Sequence, residues 1–179
     1  MKEAVDQVNT PPGPACARPQ PGRAARPFCA KEYKLVALRK RPLPEEMDLC
    51  DQPDKAAVYW RAHVTQDPAF NPEAECFAVL LLNTRRRVKG HLLVSTGTLD
   101  TLLVHAREVF RGAIVAAAAA VVLMYNHPSG EPEPAEADIK VTRDPIRAGQ
   151  LLKIEVLDHV IVGAGDRRAS LRELGYFFQ

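Results

Sequence analysis

His127 and Asp138 stand in the stretch MYNHPSGEPEPAEAD, residues 124–138. An imidazole and a carboxylate in one short loop region are the beginnings of a metal site. A catalytic zinc usually takes three protein ligands and keeps one position open for water, so two donors leave a gap. Two positions before His127 stands Tyr125. Side chains alternate along a strand, so Tyr125 and His127 leave the same face of a strand that ends here. Pro128, Ser129 and Gly130 then turn the chain, and Asp138 falls in the first turn of the next helix, where the helix dipole favours a carboxylate. A strand-end imidazole and a helix-start carboxylate can therefore converge. Each also has a plainer use: His127 can bond within its own turn, and Asp138 can simply stabilise a helix N-terminus. Spacing alone is a weak signal for metal.

The elements that must hold these residues read clearly. CFAVLLL is a continuous apolar run typical of a buried strand, NTRRRVKG is a polar turn, and HLLVSTG is a second strand, together a hairpin. After TLDT, Ala106, Val109, Phe110, Ala113, Ile114 and Ala117 recur at helical spacing. AVVLMYN is a third, β-branched strand. A helix beginning near Glu136 contains Pro145, which removes a hydrogen bond and costs roughly 3 kcal/mol or a kink. IEVLDHVIVG is a strand, AGDRR a turn and ASL a short strand, and RELGYFF closes the chain.

Upstream, DQPDKAAVYWRAHV reads as a helix with Asp51 or Asp54 as its cap and Ala57, Trp60 and Val64 as its apolar stripe. YKLVAL, from Tyr33, reads as a strand. Residues 1–30, rich in Pro, Ala and Arg, show no period and read as a disordered tail. The division is thus a tail over 1–30, a strand–helix extension over 31–70 and the main domain over 71–179. Mixed strands and helices with a hairpin predict an α/β sandwich with a mixed sheet.

Bulk properties set the outer bounds. The chain has 179 residues, 46 % of them hydrophobic, which suits one domain with a real core. A net charge of +2 argues neither for nor against nucleic acid. Cys16, Cys29, Cys50 and Cys76 form no C-x-x-C pair and, without a visible secretory signal, read as reduced thiols in a cytoplasmic protein. The longest apolar run, residues 112–124, is too short to span a bilayer.

A family resemblance sharpens this. ECFAVLLLNTRRRVKG, STGTLDTLLVHAREVF, NHPSGEPEP, DIKVTR, AGQLLKIEVLDHVIVG and SLRELG occur in order from Glu75 almost to the C-terminus. They resemble the RadC-like branch of the JAB/MPN (JAMM) zinc-dependent metalloproteins. The resemblance implies a cytidine-deaminase-like sandwich, a mixed β-sheet flanked by helices. It implies one zinc ion, with His127 as the second histidine ligand, Asp138 as the carboxylate ligand and Glu75 as general base. The implied reaction is hydrolysis of a peptide or isopeptide amide by a zinc-activated water.

Two positions depart from the family pattern. Tyr125 stands where the first histidine ligand belongs, and Ala135 where a serine belongs. A neutral phenol is a poor zinc ligand because its pKa is about 10. Losing the serine removes a hydroxyl beside the reaction centre and a helix cap worth about 1 kcal/mol. Pro145 and Ala106 also differ from the family's usual residues. Three functions compete: a zinc metallopeptidase-type hydrolase, a catalytically inactive JAMM-fold interaction module, and a DNA-repair accessory. The last comes from the name traditionally attached to the family. No glycine-rich helix-hairpin-helix pattern is visible in residues 1–70 to support it.

Other residues have two readings each. His159, in LDHVIVG, either supports the metal site from behind or is a satisfied histidine between sheet and helix, on the face of Leu157 and Ile161. His105 and Arg107 open a helix, as surface groups or as substrate contacts. Glu131, Glu133 and Glu136 are loop charges or substitute ligands. Arg85, Arg86, Arg87 and Lys89 form an exposed basic turn or a phosphate contact. Ser129 lacks the His/Asp partners of a serine hydrolase.

Overall fold

The computed structural model describes residues 49–97 and 104–178, all within the compact unit Ala37–Gln179. The tail over 1–30, the strand expected from Tyr33 and the TLDT segment lie outside these residues. Helix α1 (Pro53–Tyr59) continues as a π-helical turn (Trp60–Val64). Then come β1 (Glu75–Leu82), β2 (Val88–Gly97), α2 (Ala106–Val115), β3 (Ala120–Asn126), α3 (Glu136–Leu152), β4 (Glu155–Val162), β5 (Arg168–Ser170) and a 3-10 turn (Tyr176–Phe178).

The strands form one mixed sheet in the order β2-β1-β3-β4-β5. β1 runs antiparallel to both β2 and β3, β3 and β4 are parallel, and β4 and β5 are antiparallel. The parallel pair requires a crossover, which α3 supplies. β3 is buried along its whole length, as its unbroken apolar run requires for a central strand covered on both faces. On one face Ala56 and Ala57 of α1 and Trp60 and Val64 of the π-helical turn pack against Leu80, Val122 and Val160. On the other, Val109, Phe110 and Ala113 of α2 pack with Phe77, Leu123, Tyr125 and Ile161. Each fully buried side chain of this size stabilises the fold by about 1.5–3 kcal/mol.

The α/β fold with a mixed sheet flanked by helices agrees with expectation; three local details differ. Gln52, not Asp51 or Asp54, is the N-cap of α1, and it makes no side-chain cap bond; Pro53 opens the helix, where its missing N–H costs nothing. The apolar stripe of α2 ends early: Ile114 is exposed, and Ala117 takes a left-handed φ of 46° beyond the helix. As expected, helix α3 contains Pro145, which is buried, so packing offsets the helical bond it removes. Leu157 packs with the α1-side core rather than beside His159, because a register shift between Val121 and Val122 interrupts the alternation against β4.

Candidate functional site

The end of β3, the start of β1 and the start of α3 meet at one edge of the α2/α3 face. Phe77 pairs with Tyr125 across β1 and β3, so Glu75 and His127 extend the same face by one step. The Tyr125 and His127 rings meet edge to face with centroids 5.1 Å apart. His127 Nε2 lies 3.5 Å from Asp138 Oδ2. The turn between them closes through the Gly130 N–H bond to the His127 carbonyl, with Gly130 at a φ of 82° that suits glycine.

His127 is held as a ligand would be. Its Nδ1 faces the Glu131 carbonyl at 2.7 Å, which places the proton on Nδ1 and directs Nε2 toward Asp138. The hydrogen bond with Asp138 raises the pKa of the imidazole, against the opposing effect of burial. Burial pushes the Asp138 carboxyl up, but the His127 bond and the Ala135 N–H outweigh it and hold the group below the usual carboxylate range. The Ala135 N–H donates to Asp138 Oδ2 at 2.8 Å. This is half of a capping box. The other half needs a side-chain acceptor at position 135, which alanine lacks.

Tyr125 is 4 % exposed. Burial, a hydrogen bond with the Glu75 carboxylate and the nearby Asp138 charge all raise its pKa, so the phenol remains protonated. Burial and the neighbouring acidic charges keep its hydroxyl protonated, so it cannot offer a phenolate. Glu75, Tyr125, His127 and Asp138 are thus brought to one place. Even so, among the described residues no three His, Cys, Asp or Glu side chains converge closely enough to hold a metal ion. Two donors and a protonated phenol do not fit a zinc that needs three protein ligands.

Behind the site, His159 is 1 % exposed between sheet and α3. Its Nδ1 meets Thr142 Oγ1 at 2.7 Å, while Nε2 has no partner among the described residues. It is therefore a half-satisfied histidine, with burial pushing its pKa down to about 4. Ala135 is the N-cap of α3, with no side-chain cap bond.

One positioning residue carried no separate signal in the sequence. Asn126 Oδ1 accepts the Cys76 N–H at 2.8 Å, and its Nδ2 donates to the Ala74 carbonyl at 3.1 Å. These two bonds bracket Glu75. Asn126 adjoins His127 in the motif, but a contact across 50 residues depends on the β1/β3 register and has no local pattern.

The remaining candidates have internal roles. Glu131 pairs with Arg167 at 2.6 Å and Glu136 with Lys140 at 2.8 Å. His105 is the N-cap of α2 without a side-chain cap bond, and Arg107 pairs with Glu108 at 3.4 Å. Ser129 Oγ accepts the Glu131 N–H at 3.4 Å. In the basic turn, Arg86 pairs with Glu155 at 3.1 Å and Lys89 Nζ caps α2 through the carbonyls of Ala116 and Ala117. Those two cations are already engaged, which weakens the turn as a phosphate contact. Among the described residues no helix is long and apolar enough to cross a membrane.

Comparison with known proteins places this arrangement. The family model described as RadC-like JAB domain matches residues 50–176. A UPF0758 protein of Caldanaerobacter subterraneus subsp. tengcongensis is 46 % identical over 103 residues, 58 % of this chain and 44 % of the relative. One from Thermosynechococcus vestitus is 37 % identical over 159 residues, 89 % of this chain and 60 % of the relative. A third, from Rubrobacter xylanophilus, is 54 % identical over 95 residues, 53 % of this chain and 42 % of the relative. The chain thus spans about half the length of the curated relatives it matches.

Proposed function

This chain belongs to the RadC-like JAB domain family, and on that premise we propose that it is a catalytically inactive interaction module, a JAB-fold cleft that binds a peptide or protein without cutting it. The observation that carries this reading is Tyr125. It occupies the position that the family pattern gives to a ligand, and burial beside the Glu75 and Asp138 charges keeps it protonated.

A second reading has its own support. His127 keeps the orientation of a ligand, with Nε2 on Asp138 and Nδ1 on the Glu131 carbonyl. A zinc-dependent hydrolase of a peptide or isopeptide amide would need that half-site, completed by some further donor.

Metal content and amide hydrolysis together decide between the two. Elemental analysis of the purified full chain should find well under one zinc per chain, and Tyr125→His should raise the occupancy by restoring a third ligand. Hydrolysis of a peptide and an isopeptide substrate should be absent in the unaltered chain. One zinc per unaltered chain together with metal-dependent hydrolysis would overturn the inactive-module reading in favour of the hydrolase.

A further inference from the structure

Strand β4 has two functional faces. His159 and Ile161 look toward α3, and Asp158 and Val160 look toward α1. On the α1 side, away from the Tyr125 cleft, lies a cavity of about 410 Å³. This is within the size range of small-molecule sites. Its apolar wall includes Ala56, Val122, Leu157 and Val160. Of the acids that line it, Asp158 alone is buried, 7 % exposed.

Asp158 differs from the other acids that line this cavity. Asp51 pairs with Lys55 at 2.6 Å, Glu155 with Arg86 at 3.1 Å, and Glu173 with Arg168. Asp158 has no cationic partner among the described residues. Its hydrogen bonds come from neutral donors: the His159 N–H at 2.7 Å, the Ser170 hydroxyl at 2.6 Å and the Arg172 N–H at 3.1 Å. Arg172 lines the same cavity, yet its guanidinium donates to the Leu157 carbonyl at 2.7 Å rather than to this carboxylate. Buried carboxylates are ordinarily paired, because an uncompensated charge out of water is costly. Three donors occupy three of about four acceptor positions, so Oδ2 can accept one more.

We propose that this cavity is a binding site for a small primary ammonium compound with a short aliphatic chain, its ammonium on Asp158 and its chain against Val122, Leu157 and Val160. The ammonium supplies the charge and the donor that Asp158 lacks. The apolar wall favours a hydrocarbon body over a compact inorganic cation. The site is independent of the Tyr125 cleft, so it stands whichever reading of that cleft holds.

The test uses the full chain with labelled valine and leucine methyl groups. It is titrated separately with n-butylammonium, n-butanol and butyrate, and followed by NMR. Saturable shifts at Val122, Leu157 and Val160 are expected from n-butylammonium. Butanol should bind at least roughly tenfold more weakly, and butyrate should leave these methyls unmoved. Asp158→Asn should abolish the n-butylammonium response while the spectrum stays dispersed. If that variant does not fold, the selectivity of the unaltered chain decides. Equal or stronger binding of butyrate or butanol, or no shift with n-butylammonium up to tens of millimolar, overturns the proposal.

Discussion

Thr142 Oγ1 lies 2.7 Å from His159 Nδ1, and the single proton of that hydroxyl is already given to the Asp138 carbonyl, also at 2.7 Å. Thr142 can therefore only accept from the imidazole. This places the His159 proton on Nδ1 and leaves Nε2 with a bare lone pair. The contact runs from β4 to the helix that carries Asp138, so the orientation of His159 and the position of the candidate site share one hydrogen-bonded chain.

A pH dependence follows from that burial. His159 takes up a proton near its ordinary pKa of 6.5 when unfolded, but only near about 4 when folded. Between those values the unfolded state binds more protons. The stability that His159 contributes is therefore complete above pH 6.5 and falls as pH drops toward 4. The gap is worth about 3 kcal/mol. His127 acts in the opposite sense: its raised pKa gives stability below pH 6.5 that is lost as pH rises through the folded value. Urea denaturation across this range should show a shallower acid-side loss for His159→Asn than for the unaltered chain. A His159→Asn curve parallel to the unaltered one would show that His159 does not remain neutral in the fold.

Asn126 makes a separate prediction about Glu75. Asn126→Ala leaves the Cys76 N–H and the Ala74 carbonyl without their partner and should destabilise the fold by about 1–3 kcal/mol, read from urea denaturation. Stability alone does not prove positioning. Glu75 is among the groups that raise the Tyr125 pKa, so Asn126→Ala should also lower the pH at which the phenol ionises, followed by ultraviolet difference absorption. An unchanged phenol titration beside a normal loss of stability would confine Asn126 to a structural role.

What the sequence made legible and what it hid divide along physical lines. β1 and β3 could be read from their unbroken apolar runs, because central strands covered on both faces have no polar side to interrupt the pattern. The meeting of His127 with Asp138 followed from a strand end, a turn and a helix start, all local features. Asn126 was hidden because its partners are set by strand register. Leu157 was misplaced because one register shift reverses alternation, and nothing in LDHVIVG marks it. Ile114 fits the helical period but sits at the end of α2, past the part that the sheet covers. The Asp158 cavity was hidden for a similar reason: alternation gives the face, but not whether a cation on another element covers it.

Ala135 offers the most direct test of how far the site has drifted from the pattern of its family. Its backbone already has N-cap geometry, φ −77° and ψ 165°, and the Asp138 carboxylate already accepts its N–H. Only the side-chain acceptor is missing. Ala135→Ser should therefore complete the capping box and stabilise the fold by about 1 kcal/mol, with Ala135→Gly gaining less. Chemical denaturation measures both. The serine gain should shrink when Asp138→Asn is also present, because the weaker acceptor loosens the reciprocal half of the box. Equal gains with and without Asp138→Asn would mean that the new hydroxyl bonds elsewhere in the cleft, and that position 135 is coupled to Tyr125 and His127 rather than to the start of α3.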